Sequence, residues 1–139
     1  MKKLILFSFL LVVGFSYAQK KNEPQSIISN DVAIKKYHNK EELDRMEKGE
    51  LLGLYIERIE SLVKTLPYIA FATKPGKTMS TYGIPNTKEN RKSLEDKVEA
   101  TNEFLDTTME FQKRMLPYSD KSNLIAAILF YERSEEHTS

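Results

Sequence analysis

The sequence predicts an all-α protein, an antiparallel helical bundle of three helices, or four in the intact protein, behind a cleavable export signal. Three observations carry this. Apolar residues recur at helical spacing over two long stretches and one shorter one. An N-x-x-E capping box opens each long stretch, and a Leu-Pro-Tyr triplet closes each.

The export signal comes first. Met1-Lys2-Lys3 is basic, residues 4–13 (LILFSFLLVV) are apolar, and Ser16-Tyr17-Ala18 places small residues ahead of Gln19. That is the layout of a secretory signal peptide over residues 1–18, which implies a periplasmic or secreted protein. The apolar run is half the roughly 20 residues needed to cross a bilayer, and no later segment is apolar enough, so no membrane span is expected in the mature chain. The chain has no Cys. Stability must come from a packed core, and thiolate metal sites, thiol redox chemistry and Cys nucleophiles are excluded.

The other end departs from the rest. Residues 133–139 (RSEEHTS) resemble the translation of a sequencing-library adapter. They read as a non-native tail and are left out of fold reasoning. The natural chain is then expected to continue past Glu132, with its last helix incomplete. Residues 19–132 carry 18 basic and 18 acidic side chains once Lys2, Lys3, Arg133, Glu135 and Glu136 are set aside. A net charge of zero gives no global field for nucleic acid or an anionic membrane.

Residues 19–38 read as a mobile leader. Ile27, Ile28, Val32, Ile34 and Tyr37 form a short apolar patch within it. It fits a docking strand and a first helical turn equally. The bundle domain is expected over residues 39–132.

Asn39-Lys40-Glu41-Glu42 caps the first strong helix. Leu52, Tyr55, Ile59, Leu62, Leu66 and Ile69 follow at spacings of 3, 4, 3, 4 and 3, one broad apolar face opposite Glu50, Glu57, Glu60 and Lys64. Gly49 and Gly53 each cost about 1 kcal/mol against Ala. They either permit close helix contact or loosen this end. Pro67 removes an amide donor, so a kink is expected near residues 63–67.

Residues 73–85 (TKPGKTMSTYGIP) form a loop longer than the usual helix–helix connection. Met79, Tyr82 and Ile84 suggest that it folds back over one end of the bundle. Asn86-Thr87-Lys88-Glu89 repeats the cap. A long helix then runs to about Leu116, with Leu94, Val98, Thr101, Leu105, Thr108, Met109, Gln112, Met115 and Leu116 inward and Phe104 and Phe111 at the margin. Ile59, Leu62 and Leu66 are expected to meet Val98, Leu105 and Met109. Ser119-Asp120 caps a third helix, in which Leu124, Ile125, Ile128, Leu129 and Tyr131 are periodic.

Catalytic signatures are weak. Gly76-Lys77-Thr78 lacks the first glycine of a phosphate loop, because Phe71 stands there, and a helix precedes it where a strand is required. His38, with Glu41 and Glu42 nearby, has the donor types of a metal site. First-turn acids favoured by the helix dipole explain both glutamates without one. A Ser-His-Asp set has only His38 as base and no G-x-S-x-G elbow. No pair of acids is singled out for glycoside hydrolysis. No enzyme activity, cofactor or metal is expected.

One surface pattern remains. Glu95, Glu99, Glu103, Asp106 and Glu110 fall within about an 80° arc on the second long helix. A solvated outer face accounts for it. The sharper reading makes Glu99, Glu103, Asp106 and Glu110 an exposed docking strip for a basic partner or cations. Like charges at i,i+4 cost a few tenths of a kcal/mol each, so such a stripe is held against a penalty. The function expected is that of an exported non-enzymatic protein binding another macromolecule, as scaffold, subunit or chaperone-like factor. The alternative is a small-molecule or metal-binding bundle with its site under the 73–85 loop.

Overall fold

The structure is a computed structural model that describes residues 24–72 and 74–136. The signal at residues 1–18 lies outside the described residues, as do the last three residues of the tail. The chain is mostly helical, with four α-helices and no strand among the described residues. They are α1 (Lys40–Arg45), α2 (Lys48–Thr65), α3 (Lys88–Met115) and α4 (Lys121–Glu136). No helix among them is long and apolar enough to cross a membrane.

Capping chemistry sets most boundaries. Asn39 Oδ1 accepts from the Glu42 amide at 2.9 Å, and Glu42 Oε2 accepts from the Asn39 amide at 3.2 Å. That box opens α1, but the helix lasts only six residues. Met46 turns to extended backbone, and α2 starts afresh, with the Glu47 amide donating to Glu50 Oε2 at 2.8 Å. One expected helix is therefore two. A second set of first-turn acceptors, at Glu47 and Glu50, competes with helix continuation. At α3 the cap is Thr87, whose Oγ1 accepts from the Asn90 amide at 3.1 Å. Asn86, the expected cap, instead accepts from Arg91 through its carbonyl at 2.8 Å.

Pro67 terminates α2 instead of kinking it. α2 ends at Thr65, and Leu66–Tyr68 forms a 3₁₀ turn. Tighter winding brings Tyr68 into the core and leaves Leu66 exposed, against the expectation for Leu66. Leu116–Tyr118 makes the same 3₁₀ turn after α3 with the opposite burial: Leu116 is inside, and Tyr118 is 87% exposed. Gly49 and Gly53 face open space, so neither serves close helix contact.

Helix α2 packs against both α3 and α4. Tyr68, just after α2, shares a cluster with Leu94 near the start of α3. Ile59 meets Leu105 and Met109, as expected from the two apolar faces. Leu51, early in α2, joins Leu43 of α1, Leu116, Leu124, Ile125 and Ile128. Tyr55 and Tyr131 lean together with ring centroids 5.9 Å apart. Burial, and then Tyr131 itself, raises the Tyr55 phenol above its ordinary pKa.

The described part of the expected mobile leader is packed. Ile27, Ile28, Val32 and Ile34 are buried, and the first three share a cluster with Tyr68, Ala72, Met79 and Leu94. The segment is tied to the 73–85 loop by main-chain bonds: the Ile27 amide donates to the Lys77 carbonyl and the Gly76 amide to the Ile28 carbonyl, each at 2.9 Å. Gly76 has φ +76°, a left-handed backbone that favours glycine, and a Cβ there would push against the Asn30 side-chain oxygen. Four buried aliphatic side chains outweigh the polar residues around them, and the apolar patch docks as neither a strand nor a helical turn.

Candidate functional site

The expected docking strip lies on the outer face of α3. Glu99, Glu103, Asp106 and Glu110 are all exposed. The structure gathers Glu99, Glu103 and Asp106 with Glu95 along one wall of an open groove of about 400 Å³, which Gln25 of the leader helps to close. Glu110 stands apart from it, paired with Arg114 at 3.4 Å. At the head of the strip Asp96 takes Lys92 at 2.9 Å and holds that ammonium above its ordinary pKa.

A second feature shares the helix. Phe104 and Phe111 are 55% and 57% exposed. At about 100° per residue they sit roughly 130° round the helix from the acids and about 100° from the buried Leu94–Met109 face. Exposed Ala100 and Thr107 lie between acids and rings. α3 thus presents one core face, one acidic edge and one aromatic edge.

The most buried charges were not singled out in the sequence. Arg58 is fully buried in α2, and Glu132 is buried in α4. Arg58 donates through Nε to Glu132 Oε1 at 3.1 Å, through Nη1 to Glu57 Oε2 at 2.8 Å, and through Nη2 to the Lys36 carbonyl at 2.6 Å. Nη2 also lies 3.2 Å from His38 Nδ1. The other Glu132 oxygen accepts from the His38 amide at 2.9 Å. The same His38 Nδ1 lies 3.5 Å from Glu132 Oε1. The node joins leader, α2 and α4, and no buried side-chain polar atom among the described residues lacks a partner.

A helical wheel holds the missed signal. Arg58 falls inside the apolar arc of α2 with Leu51 and Leu62, and Glu132 falls inside that of α4 with Ile125 and Ile128. Two opposite charges on buried arcs must find a partner. Each could have been assigned to the other on that ground.

His38 is therefore spent on Arg58 and Glu132. A fixed cation against its ring nitrogen disfavours a metal ion there. Glu42 is engaged by Asn39 and by Lys36 at 3.2 Å, and no group of three metal-ligating side chains occurs among the described residues. At Gly76-Lys77-Thr78 the backbone that would cradle a phosphate is bonded to the leader.

The alternative small-molecule site was expected under the 73–85 loop, where the structure places apolar side chains. Met79 is buried there, and Ile84 packs beside it. A cleft of about 200 Å³ lies elsewhere, between the leader, the end of α2 and the middle of α3.

No protein-family model, no curated protein and no solved structure matches this chain.

Proposed function

We propose that this protein is an exported, non-enzymatic helical bundle that binds a basic partner protein through the outer face of α3, in a scaffold, subunit or chaperone-like role. The N-terminal signal pattern supports export to the periplasm or beyond. The observation that carries the binding role is the groove wall of Glu95, Glu99, Glu103 and Asp106, with no basic residue among its lining. A row of carboxylates facing one open groove raises the local concentration of cationic groups and steers their approach. Phe104 and Phe111, held out to solvent on a separate edge of the same helix, offer apolar contacts to a partner broad enough to wrap α3.

The test uses a fluorescently labelled cationic amphipathic peptide and the full chain. Binding should weaken as salt rises. It should be lost in the quadruple variant Glu99→Gln, Glu103→Gln, Asp106→Asn, Glu110→Gln, whose helical circular dichroism stays unchanged. Equal binding by wild type and variant would reduce the strip to a solvated face. Export is tested separately: N-terminal sequencing of the exported protein should begin at Gln19.

A further inference from the structure

We propose that the cleft between the leader, α2 and α3 binds a small zwitterion, a free amino acid with an apolar side chain. Four apolar side chains, Ile27, Val32, Tyr68 and Val98, line part of it. Ser29, Asp31, Lys64 and Asn102 bring hydroxyl, carboxylate, ammonium and amide groups to the same space. A packing defect in a core is lined by apolar atoms and stays dry, whereas this cleft combines an apolar wall with both signs of charge.

Size narrows the ligand. Drug-sized pockets run from about 300 to 1,000 Å³. The roughly 200 Å³ here matches a molecule of amino-acid size.

Charge narrows it further. Lys64 pairs with Glu60 at 3.5 Å rather than with Asp31, and Glu60 is half exposed, so that pair is weak and exchangeable. The Asp31 carboxyl lies below its ordinary pKa, chiefly because the Ser29 hydroxyl donates to it, and it is ionised at neutral pH. A ligand carrying one charge engages only one of the two groups. A zwitterion satisfies both. Its ammonium belongs at Asp31, beside a smaller cleft of about 130 Å³ that Glu57, Glu60 and Lys64 also line. Its carboxylate belongs at Lys64 and Asn102. Thr101 also lines the cleft, but its hydroxyl is committed to the Lys97 carbonyl at 2.8 Å.

This site borders the α3 groove, with which it shares Val98 and Asn102, but uses none of that groove's carboxylates. Isothermal titration of the full chain with L-leucine and L-phenylalanine tests it, with N-acetyl-leucine and leucinamide as single-charge controls. At least one free amino acid should bind, and its two controls should bind about tenfold or more weakly, a loss of at least about 1.4 kcal/mol each. Asp31→Asn and Lys64→Met should each weaken the zwitterion by a similar factor. Absence of binding by both amino acids at about 10 mM, equal binding by the controls, or unchanged binding in both variants overturns the assignment. The wild-type ligand series stands whether or not the variants fold.

Discussion

Arg58 and Glu132 lie 74 residues apart in sequence and meet in the interior, Nε to Oε1 at 3.1 Å, with the guanidinium fully buried. The pair links α2 to α4 and draws in Lys36 and His38 of the leader. Removing one partner of a buried pair strands the other charge, at a cost of about 3–5 kcal/mol. Glu132→Ala should lose that much in urea unfolding. Replacing both residues, as Arg58→Met with Glu132→Leu, should cost far less than the two single changes summed, because no lone charge remains. A single-variant loss under about 1 kcal/mol would show that water reaches the node.

Gly53 offers the opposite sign. It lies inside α2, and a Cβ there meets nothing within 4 Å. Gly53→Ala should stabilise the protein by about 0.8–1 kcal/mol, read as a higher urea midpoint at an unchanged m-value. Destabilisation would mean that another chain covers this surface.

Ile59 sits where α2 crosses Leu105 and Met109. Ile59→Ala should cost about 2–5 kcal/mol through lost burial and the cavity left behind. A neutral result would separate α2 from α3 in solution.

Acid should weaken the cap of α1. The Asn39 amide, and after it Lys36, hold the Glu42 carboxyl below its ordinary pKa. Its folded value lies under its unfolded one, so its contribution is complete above the ordinary carboxylate range and fades as pH falls through the folded value. The gap in Tm between wild type and Glu42→Gln should therefore be constant near pH 7 and narrow as pH falls below the ordinary carboxylate range. A gap that does not narrow in acid would assign the effect to something other than ionisation.

Much of the helical content was legible because period 3.6 is written directly in the apolar residues: Leu94, Leu105 and Met109 on α3 and Leu124, Ile125 and Ile128 on α4 are buried. What failed was decided between neighbours or at long range. Asn86 and Thr87 both carry a capping oxygen, and only the emerging backbone angle selects Thr87. Leu66 continues the stripe in sequence, yet Pro67 changes the winding and turns it out. Ile27 and Ile28 are covered by residues some fifty positions away in the 73–85 loop, which no local pattern reports. The acidic strip was readable as four charges on one arc. The groove that unites three of them needed Gln25 from the leader, and the Arg58–Glu132 node needed two helices docked.

Among the described residues, every apolar cluster mixes side chains from before and after the 73–85 loop. Ile27, Ile28 and Tyr68 join Met79 and Leu94; Leu43 and Leu51 join Leu124 and Ile128; Ile59 joins Leu105 and Met109. Neither half owns a core of its own among the described residues. The halves should therefore behave as complementary fragments: a cut at the exposed stretch around Ser80 and Thr81 yields two pieces, each disordered alone, that regain helix only when mixed, with a midpoint that depends on their concentration.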